Sequence, residues 1–245
     1  VYAYQMKKGY RVNQNRGLIA LGLFKDYDDI RNSPTQKYGP VMPGDIKYKD
    51  VNGDGRIDID DQVPLSYDNY PRLMYGFGGE FRYKNLTFNI LFKGIGKKDF
   101  FYTSEDSGFG YYPFLYGETG NVLSIVANSS NRWIPASYSG DPSTENPNAR
   151  FPRLSYGKNS NNTQKSTFWK ANGQYLRLQE ISVGYNLKLK AFSKIGVSSI
   201  DLQLVGQDLY VWDKIGGLWD PEQTTKNGRA YPIPATYSLQ MYINF

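Results

Sequence analysis

The chain has no cysteine and no histidine. The first absence excludes disulfides and thiolate metal sites. The second excludes Ser-His-Asp triads, Cys-His pairs and imidazole-bound zinc. Any chemistry must come from carboxylates, hydroxyls, lysine and arginine. Also missing is any stretch near the roughly 20 apolar residues of a membrane-spanning helix. Long helical periodicity is almost absent. The formal charge is +6, but the basic residues are scattered among acidic ones and form no dense run, which argues against a nucleic-acid groove. The opening VYAYQMKKGY is not a signal peptide. A strand-like start at Val1 suggests a piece of a longer chain.

What the sequence does have is aromatic and alternating. Aromatics make up 16% of the chain and tyrosine alone supplies 22 of its 245 residues. That composition suits half-buried strands, lipid–water interfaces and sugar-binding surfaces. Period-two alternation predicts six strands: Val1 to Lys8, Leu73 to Tyr83, Leu86 to Lys93, Tyr175 to Lys188, Ser199 to Trp212, and the closing TYSLQMYINF. In the second strand Tyr75, Phe77, Phe81 and Tyr83 share one face while Gly76, Gly78, Glu80 and Arg82 share the other. Lys84-Asn85 predicts a tight hairpin. The fourth strand changes phase near Gln179-Glu180, which predicts a bulge.

The connections alternate between long (about 9–72, 94–174 and 213–235) and short. Outer-membrane barrels have that rhythm, with short periplasmic turns and long extracellular loops. Strands of this length bracket the roughly 9–11 residues that cross a bilayer at a tilt. The fold class expected is therefore all-β, an antiparallel transmembrane barrel, against the alternative of a sheet in a soluble protein. Six strands cannot close such a barrel, since the smallest have about eight. Either this is part of a larger wall, or more strands lie in the long connections.

One segment stands apart. In KYKDVNGDGRIDIDDQV, residues Asp50, Asn52, Asp54, Arg56, Asp58 and Asp61 occupy the ligand positions of a calcium loop, with Arg56 offering its carbonyl and Gly55 permitting the turn. Ile57 should tuck inward. The last ligand is Asp rather than the longer Glu of sensor loops, the preceding IKYK is strand-like, and only one copy is present. These features favour a structural Ca²⁺ clamp over a sensor. The alternative is a turn-rich loop without an ion.

Aromatics in the connections give candidate substrate contacts: Tyr111, Tyr112, Trp133 and Trp219. The alternative for each is loop packing or an interfacial girdle. Tyr237, Leu239, Met241, Ile243 and Phe245 alternate to the end of the chain, leaving an apolar edge that calls for a pairing partner. Glu105-Asp106 and Asp220/Glu222 are glycosidase candidates by residue type alone, and no enzyme activity is expected.

Several segments, taken in order, resemble SusC/RagA-like TonB-dependent outer-membrane transporters. They are GLIALGLFKDYDDIRNSP, PGDIKYKDVNGDGRIDIDDQ, YPRLMYGFGGEFRYKNLTFNILFKG, NRWIPASYSGDPSTENPNARFPRLSYG, FWKANGQYLRLQEISVGYNL, GQDLYVWDKIGGLWDPE and YPIPATYSLQMYINF. The resemblance implies the C-terminal strands of a 22-stranded barrel, with residues 1–245 as one barrel portion and the plug domain absent. It implies import of glycan fragments or peptides across the outer membrane of a Gram-negative bacterium. The implied partners are a SusD-like surface lipoprotein acting as a lid, the remaining barrel and plug, outer-membrane lipid, and TonB acting through the missing N-terminal part. The terminal aromatic resembles the signal read by the barrel-assembly machinery. The competing reading is a secreted, calcium-stabilised β-sheet module that binds glycan or protein.

Overall fold

The computed structural model describes residues 2–12, 14–67, 70–102, 122–157, 159–188, 195–216, 220–223, 231 and 233–245. The chain forms two compact units, one drawn from Val1–Asn69 and Phe101–Ala171, the other from Tyr70–Phe100, Asn172–Gln223 and Ala230–Phe245.

The first unit is built from very short ladders. β1 (Arg16–Gly17) pairs antiparallel with β6 (Val63–Pro64), β2 (Ala20–Leu23) pairs antiparallel with β4 (Ile46–Tyr48), and β3 (Thr35–Gln36) pairs in parallel with β5 (Arg56–Ile57). Single helical turns punctuate the connections: α1 (Tyr27–Arg31), α2 (Ser124–Ala127) and α3 (Ala136–Ser139). Asp26 starts α1 by accepting the Asp29 N–H at 2.8 Å, as an N-cap should. Leu18, Phe24, Ile46, Tyr48, Phe151 and Trp169 form its apolar centre.

Such short ladders leave many main-chain groups to be satisfied by side chains. Gln36 donates to the Ile46 carbonyl (2.9 Å) and accepts from the Tyr48 N–H (2.7 Å). Asn162 accepts from the Ile46 N–H at 2.9 Å, while its own carbonyl takes the Trp169 indole N–H at 2.9 Å. Asp45 is fully buried; Asn159 and Asn162 each donate to it at 2.9 Å, and Arg153 Nε lies 2.8 Å away. A buried polar network of this kind holds a loop-rich unit in one arrangement because every member would be costly to leave unpaired.

The expected strand at Val1 to Lys8 is not formed. Ala3–Gln5 is a 3₁₀ turn. The Gln5 side chain accepts from the Tyr2 N–H at 3.0 Å, and Arg16 donates to the Tyr4 and Met6 carbonyls at 2.8 and 2.7 Å. Side chains thus take the main-chain groups that a strand would need for a ladder. The remaining strands in this region have two to four residues, too few to cross a bilayer.

The second unit is one antiparallel sheet. Its long strands are β7 (Leu73–Tyr83), β8 (Leu86–Gly96), β10 (Lys170–Leu187), β11 (Ser199–Lys214) and β12 (Thr236–Asn244), in the order β12-β11-β10-β8-β7; a short β9 (Asp99–Phe101) also pairs with β10. All five long strands match sequence-predicted ones, with β8, β10 and β11 running a few residues further. Lys84 takes a φ of 54° in the two-residue turn that pairs Tyr83 with Leu86.

The predicted bulge is present. Leu178 pairs with Phe92 and Glu180 pairs with Leu91, so Gln179 is the extra residue. On the other side Leu178 pairs with Tyr210 and Glu180 with Gln207, which sets Asp208 and Leu209 against the single Gln179, with Asp208 at φ 53°.

Candidate functional site

The register of the sheet sorts its side chains into two faces. Reading from β7 to β12, one row holds Phe81, Phe88, Val183, Leu204 and Leu239. The next in the same phase holds Tyr83, Leu86, Tyr185, Leu202 and Met241. Beyond the bulge the phase continues through Phe77, Phe92, Leu178 and Tyr210. The Phe77 and Phe92 rings stack at 4.9 Å.

These apolar side chains are not the core of the unit. Phe81 is 60% exposed, Tyr185 47% and Leu239 76%. Five strands about 4.8 Å apart, and about eight residues of height at roughly 3.3 Å each, give a face of roughly 600 Å². That is at or above the largest apolar patch usual for a soluble monomer. Aromatics stand at both ends of it. Tyr75, Tyr210 and Trp212 mark one end, and Tyr83 and Tyr185 the other, in the arrangement of an interfacial girdle.

The opposite face is polar and carries the charge. Arg177 on β10 is 2% exposed and sits directly across from Lys93 on β8. Like charges in cross-strand register repel, and Glu222 answers both, at 2.7 Å from Arg177 Nε and 3.1 Å from Lys93 Nζ. Asp220 takes Arg177 Nη2 on both oxygens, at 2.6 and 2.7 Å, while Asp208, turned by the bulge, lies at 3.7 Å. The result pins the segment Asp220–Gln223 to the sheet. Further along the same face Asn89 donates to Ser182 Oγ at 3.0 Å, and at the far end of the sheet Asn244 donates to Asp201 and Ser199 at 2.8 and 3.0 Å. The two carboxylates weighed as a hydrolytic pair, Asp220 and Glu222, are both occupied by one guanidinium. Sequence reading missed Arg177; the signal was a basic residue in the polar phase of an otherwise apolar strand.

In the first unit, the Asp50–Asp61 loop closes on its own amides. Asp50 accepts from the Gly53 and Gly55 N–H groups (2.7 and 2.8 Å), Asn52 from Asp54 (3.0 Å), and Asp54 from Arg56 (2.8 Å). Asp58 caps Asp60 at 2.9 Å, and the fully buried Asp61 accepts from Val51 and Asp58 at 2.7 and 2.9 Å. Ile57 is fully buried, as anticipated. Among the described residues no three acidic side chains converge to hold a metal ion. The donor types suit Ca²⁺, and the main-chain N–H groups they accept leave further lone pairs on each carboxylate.

A cleft of about 790 Å³ opens in the same unit. Trp133 lies in its floor and is only 4% exposed, its ring packed so closely over Gly44 (φ 85°) that a Cβ there would fall 2.3 Å from it. Trp133 therefore offers no open ring face. Tyr27, Tyr138 and Tyr156 stand exposed around the rim. Tyr111, Tyr112 and Trp219 lie outside the described residues. Tyr237, Leu239, Met241 and Ile243 are exposed along β12, and Phe245 follows its end, also exposed.

Comparison with known proteins gives the sheet and its loops a setting. TonB-dependent receptor P26 of Formosa agariphila is 28% identical over 241 residues, covering 94% of this chain. TonB-dependent receptor P3 of the same organism is 27% identical over 221 residues, covering 84%. The chain is similar to TonB-dependent receptors. It spans only 22% and 20% of the length of these two relatives. Among solved structures, the RagAB peptide importer in its open-open and closed-closed states matches 95% of this chain, with TM-scores of 0.64 and 0.63 at 16% identity, and 22–23% of the matched chain is covered. No family model matches the sequence. The expected resemblance is thus met, and the antiparallel strands have the fold of part of an importer barrel. No described helix is long and apolar enough to cross a membrane.

Proposed function

We propose that this chain is the C-terminal barrel portion of a TonB-dependent outer-membrane importer of glycan fragments or peptides. In this reading the face bearing Phe81, Tyr185 and Leu239 meets lipid, and the face bearing Arg177 meets the barrel interior. β7 and β12 pair with strands supplied by the rest of the receptor. A SusD-like lipoprotein lids the loops, and TonB acts through a part of the receptor outside these residues. The Asp50–Asp61 loop acts as a clamp closed by its own amides, which calcium reinforces but does not build.

The observation that carries the reading is the apolar face. A secreted β-sheet module would have to bury those rows in its own core, and none of their side chains is buried while most are exposed. Exposure of that much aromatic and aliphatic surface is unfavourable in water by about 25 cal/mol per Å² and is relieved by hydrocarbon. The barrel's role is passage rather than chemistry, with loops and lid deciding what enters.

The test is purification of the receptor that carries this chain from outer membranes, followed by binding and uptake assays with a panel of glycans and peptides. The reading predicts extraction only by detergent, co-purification with a surface lipoprotein, and uptake that stops when TonB is removed. Recovery from the soluble fraction, or uptake indifferent to TonB, would overturn it.

A further inference from the structure

We propose that the cleft around Trp133 binds an oligosaccharide carrying carboxylate groups, with Tyr138 and Tyr156 as stacking platforms and Lys25 and Arg132 as the cationic contacts. This deepens the importer reading and rests on it.

The first argument is shape. At about 790 Å³ the cleft falls within the range of sites that enclose ligands of several rings. Its walls are braced from behind, so it exists before a ligand arrives. Glu145 accepts the Ala136 N–H at 2.8 Å, tying the turn that carries Tyr138. Asp26 caps the turn that carries Tyr27. Arg153 is fixed on buried Asp45. Preorganisation of this kind lowers the ordering cost of binding.

The second argument is charge. Asp26 and Glu145 also line the cleft and keep their charge, but each is turned onto a main-chain N–H rather than onto a cation, and the Arg153 charge is answered by Asp45. Lys25 is exposed and Arg132 is half-buried. Neither has a carboxylate partner among the described residues. Arg132 spends Nη1 on the Val126 and Ala127 carbonyls, at 2.7 Å each. Burial without an anion pulls its guanidinium below its ordinary pKa, so an incoming carboxylate would relieve an existing electrostatic deficit. Guanidinium and carboxylate also match in geometry.

The third argument separates sugar from peptide. Extended peptides are commonly held by adding a strand to a free sheet edge. None of the residues lining this cleft belongs to a strand, and Pro43 and Pro135 supply no N–H. What the rim does present is ring faces: Tyr138 is 86% exposed and Tyr156 fully so. Ser137 and Ser155 add hydroxyls between them.

The experiment uses the detergent-solubilised receptor and titration calorimetry with three probes of equal length. These are a uronic-acid oligosaccharide, its carboxyl-reduced neutral counterpart, and an acidic peptide. The proposal predicts that the uronate binds at least about tenfold more tightly than the neutral sugar, with affinity falling as salt is raised. Lys25→Gln and Arg132→Gln should remove that preference, and Tyr138→Ala should weaken both sugars. Lys25 and Tyr138 are exposed enough that their variants will fold. Equal binding of the two sugars, tighter binding of the peptide, or unchanged binding by Lys25→Gln and Tyr138→Ala would overturn the proposal. A receptor that inserts in the outer membrane and imports yet binds no uronate defeats this inference alone. A receptor that does not insert defeats the importer reading instead.

Discussion

Asp61 shows how a metal-like motif can be read through its hydrogen bonds. Its carboxylate is fully buried and accepts two main-chain N–H groups. Removing it strands two partly buried donors, each at the lower part of the roughly 1–3 kcal/mol that a fully buried one costs. Asp61→Ala should therefore destabilise the first unit by roughly 2–3 kcal/mol. The loss measured by denaturation should persist in EDTA and be somewhat larger in millimolar calcium. A loss confined to the calcium sample would instead make the loop a metal site.

Asp29 gives a pH signature. Burial alone would raise its carboxyl, but the hydrogen bond from Lys47 (2.7 Å), the Lys25 N–H (3.1 Å) and the Lys47 charge outweigh that and hold it below the ordinary carboxylate value. A depressed folded value means its contribution is present above the unfolded pKa of about 4 and disappears as pH falls through the lower folded value. The pair is about a quarter exposed, so the effect is small. The stability difference between wild type and Asp29→Asn, followed by denaturation from pH 7 downward, should shrink toward zero in acid.

Arg177 carries more weight. Arg177→Met leaves Asp220, which is 7% exposed in its side chain, without its cation. Loss of one partner from a buried ion pair costs roughly 3–5 kcal/mol. Protease cutting within Asp220–Gln223 should appear in this variant while the strands stay protected.

At the scale of elements, the strands were legible because alternation does not depend on whether the apolar face is exposed or buried. Period two reports that two faces differ, and the sheet has two unlike faces. The bulge was legible for the same reason: Leu178 and Ile181 are three residues apart yet must share a face. Deleting Gln179 should remove the bulge from β10 and still leave Leu176, Leu178, Ile181 and Val183 on one face, because Leu178 and Ile181 then stand two residues apart. The deletion variant should still assemble, as read by heat-modifiable mobility of the receptor; degradation would show that the bulge is needed for more than keeping the two faces in phase. Val1 to Lys8 misled because alternation says nothing about whether a partner strand exists. The ladders of the first unit were invisible for a related reason. Strands of two to four residues are too short to show a period, and they are placed by Gln36, Asp45 and Asn162, whose side chains act across more than a hundred residues of sequence. The cleft was half legible. Trp133 stood out by type, but its burial over Gly44 was a tertiary fact, and Arg132 and Tyr138 gave no local signal.

For the molecule as a whole, the importer reading treats one sheet with an apolar face and a charged face as a partition between two solvents. Everything proposed about import follows from which solvent meets which face. Neighbouring residues on β12 decide it, since Leu239 belongs to the apolar rows and Gln240 pairs with Gln203 in the other phase. The measurement is site-directed labelling of Leu239→Cys and Gln240→Cys with a fluorophore, in the receptor reconstituted into vesicles of brominated lipid. The account predicts strong quenching at position 239 and little at 240. Equal quenching at both, or quenching at neither, would contradict it.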